Sequence, residues 1–187
     1  MRNIKSYLIT DPNYFSDNKE IFKEKLIAVL KNHKIDFACF RDKSSKNIEE
    51  LAKIFLQICK EFKIENILIN SNISLAIKLG FDGVHLNSQQ FDKIENAKKS
   101  NLITIISCHN LEELDKAINK NIDFVTYSPI FDTPNKGQSK GVDKLNEVIE
   151  KFPNLKIFAL GGIIQNEQIK EIEKTKAYGF ASIRYFI

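Results

Sequence analysis

The chain has 187 residues, of which 43% are hydrophobic and 28% are charged. These values are ordinary for a globular protein with a full core, and they exclude a disordered chain. The 28 Lys and Arg residues barely outnumber the 24 Asp and Glu residues. Because no basic block is interleaved with aromatic residues, we expect no nucleic-acid partner. The length predicts a single domain over residues 1–187.

Three cysteines, Cys39, Cys59 and Cys108, lie in apolar segments and lack the C-x-x-C spacing of metal or redox sites. Buried, reduced thiols of a cytoplasmic protein explain them better than disulfides do. No apolar run has the length of a signal peptide at the start of the chain, or of a membrane span elsewhere. We therefore expect a cytoplasmic protein with no membrane partner.

Short apolar runs alternate with amphipathic segments, which is the pattern of repeated βα units around a parallel sheet. The predicted strands cover residues 4–10, 37–41, 67–70, 83–86, 102–107, 124–127, 156–160 and 179–183. The predicted helices cover residues 19–31, 48–62, 72–79, 88–98, 111–119, 142–151 and 167–173. Eight strands predict an α/β fold of the (β/α)8 TIM-barrel type. It is short, and its last helix is missing because few residues follow the eighth strand.

Functional residues of such barrels come from the carboxyl ends of the strands. Arg41 and Lys43 are two positions apart at the end of the second strand, as are Ser107 and His109 at the fifth. Each pair can point into the barrel mouth, because side chains alternate along a strand. Cys108 must then point the other way, which argues against a Cys108–His109 nucleophile pair.

Two late strands end in features typical of a phosphate site. The sixth strand runs into a loop that contains Thr133 and Lys136, and the seventh ends in Gly161 and Gly162. Glycine lets a phosphate approach backbone N–H groups, and the lysine adds a positive charge. The pattern predicts a small phosphorylated substrate. The alternative for the glycines is a tight turn from strand to loop.

Seven segments, in this order, resemble motifs of the thiamin phosphate synthase/TenI superfamily of (β/α)8 barrels. They are Y-L-I-T at 7–10, R-D-K at 41–43, I-L-I-N at 67–70, G-F-D-G-V-H-L at 80–86, S-C-H at 107–109, the segment 123–136, and A-L-G-G-I at 159–163. The resemblance implies one of two chemistries. Synthases hold a pyrimidine pyrophosphate with the R-x-K pair, an Asn and a Mg²⁺ on two aspartates, and a thiazole phosphate displaces pyrophosphate. TenI-type members lack the metal site and tautomerise a carboxythiazole phosphate.

The two metal-binding aspartates of the synthases correspond here to Ser71 and Gln90. Neutral side chains do not supply the anionic oxygens that Mg²⁺ prefers. The resemblance therefore favours a TenI-type thiazole tautomerase without a cofactor, acting on a small phosphorylated thiazole. Mg²⁺ is expected only if the chain is a synthase that holds the ion with other groups. A non-catalytic phosphate-binding regulator is the third alternative. The resemblance also implies that a homodimer can form.

A tautomerisation moves a proton between two carbons, which suits a side chain with a pKa near neutrality. By the resemblance, His109 carries this transfer. The alternative is a histidine that only bonds a nearby backbone carbonyl. For His85, a packed strand end is the expected role, and His33 is expected to be a solvated charge at a helix end.

The remaining candidates are substrate-binding residues. Without a metal, Arg41 and Lys43 are expected to bind the carboxylate of the thiazole, and an Arg41–Asp42 or Arg41–Glu surface pair is the alternative. Asn70 either orients the same group or caps the following helix. Ser107 is expected to donate a hydrogen bond.

Overall fold

The computed structural model describes residues 4–134 and 136–187. In it, eight parallel strands close into a barrel in chain order. The strands are β1 Lys5–Ile9, β2 Phe37–Phe40, β3 Asn66–Asn70, β4 Gly83–Leu86, β5 Ile103–Cys108, β6 Phe124–Tyr127, β7 Ile157–Leu160 and β8 Gly179–Ser182. The helices are α1 Pro12–Phe15, α2 Lys19–Asn32, α3 Ile48–Glu61, α4 Ile73–Leu79, α5 Ile94–Lys99, α6 Leu111–Asn119, α7 Gly141–Lys151 and α8 Asn166–Glu173. The predicted TIM barrel is confirmed.

Three details of the barrel concern its helices. The short helix α1 was not predicted; it forms because Asp11 caps the backbone N–H of Asn13 and Pro12 occupies its first turn. The predicted helix 88–98 begins later, as a 3₁₀ turn at Phe91–Lys93 that leads into α5. As expected, β8 is followed by no α-helix within the described residues, but by a 3₁₀ turn at Arg184–Phe186.

The apolar side chains form two layers. Alternate strand residues, including Tyr7, Leu68 and Ile105, fill the barrel interior. A larger cluster lies between the strands and the helices, and it includes Cys108. Cys108 thus faces away from the barrel interior, as predicted from strand alternation. Ser107, its neighbour, faces inward.

Aromatic rings close the end of the barrel at which the strands begin. The ring centroids of Phe37 and Phe158 lie 5.1 Å apart, and those of Phe124 and Tyr178 lie 5.2 Å apart. The Lys156 ammonium lies 5.1 Å from the centroid of Phe124, a cation–π contact. The packed rings therefore fill this end of the barrel, and the opposite end, at which the strands finish, is the mouth.

Three aspartates bind the start of alternate strands. Each precedes an even-numbered strand and accepts the backbone N–H of the preceding odd-numbered strand: Asp36 from Ser6 at 2.9 Å, Asp82 from Ile67 at 2.8 Å and Asp123 from Thr104 at 2.8 Å. A carboxylate that accepts a backbone N–H makes a charge-assisted hydrogen bond. Asp82 and Asp123, which belong to the motifs recognised in the sequence, therefore have a structural role.

All three cysteines are buried free thiols. Burial raises the pKa of the Cys39 and Cys108 thiols to about 12, so neither is a thiolate at neutral pH. In the part of the chain that the structure describes, no helix is both long enough and apolar enough to cross a bilayer.

Candidate active site

The carboxyl ends of the strands bring the predicted residues together around the mouth. Arg41 continues the inward-facing series of Phe37 and Cys39 on β2, and Ser107 continues that of Ile105 on β5. The backbone N–H of Arg41 donates to the Thr10 hydroxyl at 2.9 Å, and that hydroxyl lies 3.2 Å from the Arg41 carbonyl oxygen. These bonds hold the end of β2 against the end of β1.

The Arg41 guanidinium forms an ion pair with Asp11. The expected alternative, a pair with Asp42 or with a Glu, named the wrong partners: among the described residues Arg41 pairs with Asp11, and the Asp42 carboxylate accepts hydrogen bonds from Ser45. One guanidinium nitrogen of Arg41 binds Asp11, which leaves other N–H groups of its planar fork for a substrate. Sequence reasoning missed Asp11, although the dipeptide Asp11-Pro12 is a recognisable helix start.

Three cationic side chains lie in the loops that follow β2, β6 and β8: Lys43, Lys136 and Arg184. Lys43 and Lys136 are exposed, and Arg184 is half-buried. Within residues 4–134 and 136–187, none of them forms an ion pair. The mouth therefore carries positive charge that its own carboxylates do not neutralise, which suits an anionic ligand.

Ser71 and Gln90, which the resemblance places at the positions of the metal aspartates, belong to a neutral network. Gln90 donates from Nε2 to the Ser71 carbonyl at 3.3 Å and accepts the Asn87 N–H at Oε1 at 3.1 Å. Asn87 Nδ2 lies 3.4 Å from Ser71 Oγ. Among the described residues, no group of three or more His, Cys, Asp or Glu side chains could hold a metal ion. The residues present do not fit Mg²⁺, which needs anionic oxygen ligands.

Asn70 lies beside this network. Its Nδ2 donates to the backbone carbonyl of His85 at 3.0 Å. The alternative that Asn70 caps the following helix is wrong, because Asn72 caps α4 by accepting the N–H of Leu75 at 2.9 Å. Asn70 remains a candidate for substrate binding at the end of β3.

The Gly161-Gly162 turn packs tightly against the loop after β6. Both glycines have positive φ, +100° and +70°, and a Cβ on Gly161 would lie 2.8 Å from Pro129 Cα. The Phe131 N–H donates to the Gly161 carbonyl at 3.0 Å, which joins the two loops. The alternative interpretation of Gly161 and Gly162, a tight turn from strand to loop, is therefore observed. The conformation of this turn is enough to favour glycine at both positions.

The same turn retains donors for an anion. Neither the Gly162 N–H nor the Ile163 N–H has a hydrogen-bond acceptor among the described residues. Thr133 lies beside the turn, since its Oγ1 would be 3.2 Å from a Cβ on Gly161, and the Lys136 N–H donates to the Thr133 carbonyl at 3.2 Å. The structure therefore brings the four residues predicted for phosphate binding into one loop pair.

His109 follows β5 at the mouth and is exposed. Its Nδ1 lies 3.2 Å from both the carbonyl oxygen and the hydroxyl of Ser128, and its backbone N–H donates to Glu113. If Nδ1–H donates to the carbonyl, Nε2 carries a lone pair that can accept a proton. This arrangement agrees with the predicted base and equally with the carbonyl-bonded alternative.

His85 is wholly buried between Tyr7 and Ser107. Its Nδ1 lies 2.9 Å from the Tyr7 hydroxyl, and its Nε2 lies 3.1 Å from Ser107 Oγ. Burial, with a smaller contribution from the charge of Arg41, lowers the pKa of His85 to about 4. The ring is therefore neutral at pH 7. The expected packed strand end is observed, but the polar network around it was missed.

His33 differs from the solvated helix-end charge expected from the sequence. It is half-buried, and its ring centroid lies 5.8 Å from that of Tyr185 and 5.4 Å from that of Phe186. Burial lowers its pKa. His33 therefore packs as a largely apolar ring and lies outside the mouth.

Comparisons with known proteins agree with this architecture along nearly the whole chain. A family model described as "Thiamine monophosphate synthase" matches residues 6–186. The Aquifex aeolicus (strain VF5) protein named "Putative thiamine-phosphate synthase 2" is 37% identical over 186 residues, which are 97% of this chain and 96% of that protein. A thiamine-phosphate synthase of Pelagibacter ubique (strain HTCC1062) is 35% identical over 162 residues, covering 84% of this chain and 76% of that protein.

The solved structure of a thiamine phosphate pyrophosphorylase from Pyrococcus furiosus matches with a TM-score of 0.82 at 26% identity. The match covers 96% of this chain and 85% of that chain. A solved structure titled "Native KDPGal structure" reaches a TM-score of 0.76 at 10% identity, which indicates a shared barrel fold.

Proposed function

Because this chain belongs to the thiamine monophosphate synthase/TenI family of thiamin biosynthesis, we propose that it binds a phosphorylated thiazole at the barrel mouth and tautomerises it without a metal. The observation that carries this proposal is the neutral Ser71–Asn87–Gln90 network, in which Ser71 and Gln90 take the positions that the resemblance assigns to the Mg²⁺-binding aspartates of synthases. A carboxythiazole phosphate is the substrate that the resemblance implies.

The phosphate binds between the loop after β6 and the Gly161-Gly162 turn. Backbone N–H groups of Gly162 and Ile163 and the ammonium of Lys136 are its donors. Such groups recognise a phosphate by charge and by direct hydrogen bonds, without a metal. This assignment is supported because, among the described residues, the two N–H groups have no acceptor and Lys136 has no ion-pair partner.

The carboxylate of the thiazole binds Arg41 and Lys43 at the end of β2. Arg41 is oriented by Asp11, and an arginine held in this way offers a forked contact to a carboxylate. Binding at both loop systems places the thiazole ring across the mouth. His109 then takes a proton from a carbon of the thiazole ring through Nε2 and delivers it to a carbon outside the ring, which leaves the ring aromatic.

Thiamine-phosphate synthase is the second candidate, and the names of the relatives favour it over the tautomerase. In that reaction the thiazole phosphate displaces pyrophosphate from a pyrimidine pyrophosphate. The two candidates share the thiazole phosphate and differ in their need for a divalent cation. The neutral network, which lacks the anionic oxygens that Mg²⁺ prefers, supports the tautomerase.

The test is a pair of assays on the purified protein, each with Mg²⁺ and with EDTA. We expect the ultraviolet absorbance of a carboxythiazole phosphate to change at the same rate in both conditions. We expect negligible pyrophosphate release from a pyrimidine pyrophosphate and a thiazole phosphate. EDTA-sensitive pyrophosphate release would establish the synthase and refute the tautomerase. Binding of the thiazole phosphate without turnover in either assay would support the non-catalytic alternative.

A charge-restoring variant sharpens the test. Ser71→Asp with Gln90→Asp supplies two carboxylates to the network, so we expect Mg²⁺ to bind and to raise the melting temperature. Ser74→Asp with Gln89→Asp is the matched control, because it adds the same charge at exposed neighbouring positions. Equal responses of the two variants to Mg²⁺ would show that the neutral side chains are not what excludes the ion.

A further inference from the structure

A continuous hydrogen-bonded series crosses the barrel interior from Tyr7 to the mouth. The Tyr7 hydroxyl lies 2.9 Å from His85 Nδ1, and His85 Nε2 lies 3.1 Å from Ser107 Oγ. Thr126 Oγ1 lies 3.4 Å from Ser107 Oγ and 3.4 Å from His85 Nε2. Tyr7, His85 and Thr126 are buried, whereas Ser107 is half-buried. Ser107 is thus the point at which this buried network reaches the mouth.

The chemistry of the partners selects one histidine tautomer. A neutral imidazole has one N–H donor and one acceptor nitrogen. If Nδ1 carried the proton, the buried Tyr7 O–H would need another acceptor, and the thiol of Cys39 is a weak one. If Nε2 carries the proton, Tyr7 donates to Nδ1 and Nε2–H donates to Ser107. Every buried donor then has a strong acceptor, as buried polar groups require.

This assignment determines the direction of the Ser107 hydroxyl. A serine oxygen has two lone pairs and one hydrogen. His85 Nε2–H occupies one lone pair. The Thr126 hydroxyl lies 3.4 Å from both His85 Nε2 and Ser107 Oγ, and because a protonated Nε2 cannot accept, it donates to the second lone pair of Ser107. Because both acceptor positions are used from within the barrel, the hydrogen of Ser107 is directed away from the network and toward the mouth.

We propose that Tyr7 and His85 are positioning residues, which hold the Ser107 hydroxyl as a hydrogen-bond donor to the bound anionic substrate. Neither residue touches the substrate; both act through Ser107. The inference rests on the proposed function in one respect, since it takes the ligand to be an anionic thiazole phosphate. The orientation itself follows from the contacts within the barrel.

The first experiment reads the tautomer directly in the protein without substrate. ¹⁵N-histidine NMR distinguishes a protonated ring nitrogen from an unprotonated one, and spectra of His33→Gln and His109→Asn assign the remaining signal to His85. We expect His85 to carry its proton on Nε2 and to stay neutral from pH 5 to pH 8. A proton on Nδ1 would overturn the proposal. Because no substrate is used, this result does not depend on the proposed function.

The second experiment is a double-mutant cycle on thiazole phosphate binding, measured by calorimetry. Ser107→Ala should lower the affinity about 10- to 100-fold, because it removes a donor to a charged group. His85→Phe should lower the affinity by a similar factor in the wild-type background and by almost none in the Ser107→Ala background. Multiplicative losses would show that His85 does not act through Ser107, which would overturn the proposal.

Two controls accompany the cycle. Cys108→Ala alters the same strand on its opposite face, so its affinity should equal that of the wild type. Tyr7→Phe keeps the ring and removes the hydroxyl, and it serves if His85→Phe does not fold. We expect it to broaden or shift the His85 ¹⁵N signals; unchanged signals would overturn the proposed contact. Absence of thiazole phosphate binding by the wild type would refute the proposed function, while the NMR result still decides the orientation.

Discussion

The two ends of the barrel differ in whether their charged side chains have partners within the protein. Where the strands begin, the carboxylates of Asp36, Asp82 and Asp123 accept backbone N–H groups, and aromatic rings fill the interior. Where the strands end, Lys136 and Arg184 have no ion-pair partner among the described residues. The aspartates of one end are bonded internally, whereas the other end, although Arg41 pairs with Asp11 there, keeps unpaired cations for a ligand, which separates stability from chemistry within one fold.

His109→Asn tests the mouth of the barrel, and it is expected to have the largest effect. Asparagine keeps the polarity of the side chain but cannot relay a proton near neutral pH. We expect turnover of the carboxythiazole phosphate to fall about 10²–10⁴-fold, with its affinity and the melting temperature nearly unchanged. Steady-state kinetics and calorimetry measure these separately. His33→Asn, which lies outside the mouth, is the matched control and should keep full activity.

Other activities of the His109→Asn and His85→Asn variants would change the role assigned to His109. Near-full activity of His109→Asn together with inactive His85→Asn would move the proton transfer to His85. If both variants stayed active, the carbonyl-bonded alternative for His109 would be correct, and its contact with Ser128 would be structural only.

Phe158→Ala tests the opposite end. Phe158 is fully buried, and its ring centroid lies between 5.1 and 5.9 Å from those of Tyr7, Phe37, Phe124 and Tyr178. Truncation leaves a cavity among these rings and should lower the free energy of unfolding by about 3–5 kcal/mol. Urea denaturation monitored by circular dichroism provides the measurement.

The control for Phe158→Ala is an exposed apolar residue beside the mouth. Ile164 follows the Gly161-Gly162 turn and is 45% exposed, so Ile164→Ala should change the free energy of unfolding by less than about 0.5 kcal/mol. Equal losses in the two variants would contradict the view that stability is concentrated at the aromatic end.

The sequence predicts the barrel well because its signals are local. Eight apolar runs and their alternation place Arg41 and Ser107 on the inward face and Cys108 on the outward face, and the structure agrees. The helix predicted from residue 88 begins later because the Gln90 side chain bonds the Asn87 N–H. Short polar segments of this kind depend on individual side-chain contacts rather than on periodicity.

The polar contacts of the site are less predictable because they join distant parts of the chain. The partner of His85, Tyr7, is 78 residues away in sequence, and Asp11 is 30 residues from Arg41. Neither distance leaves a periodic signal. The capping signal of Asp11-Pro12 was readable, but it indicates a helix start and does not reveal the arginine that the carboxylate binds.

Lys136→Ala removes one of the unpaired cations of the mouth. A charge-assisted hydrogen bond to phosphate contributes about 1.5–3 kcal/mol, so the affinity for thiazole phosphate should fall by the corresponding factor while the melting temperature is kept. Lys170→Ala, at an exposed position of α8, is the control. Unchanged affinity of Lys136→Ala would place the phosphate elsewhere. Gly161→Val is a poorer test, because the Cβ added at position 161 would collide with Pro129 as well as obstruct the phosphate.

Asp36→Asn should have the smallest effect. Burial raises the pKa of Asp36, but the bonds from Lys5 and Ser6 outweigh it, so the pKa lies below 3.8. A lowered folded-state pKa stabilises the protein above the unfolded-state value, and the gain is lost as the pH falls through the folded-state value. Because Lys5 is 38% exposed, solvent weakens its ion pair with Asp36. The free energy of unfolding should therefore fall by about 1 kcal/mol at pH 7 in Asp36→Asn. Urea denaturation from pH 7 to pH 2 should show the two proteins converging at acid pH, whereas Asp115→Asn, at an exposed position of α6, should follow the wild type throughout. A difference that stayed constant at acid pH would show that the Asp36 bonds do not depend on its charge.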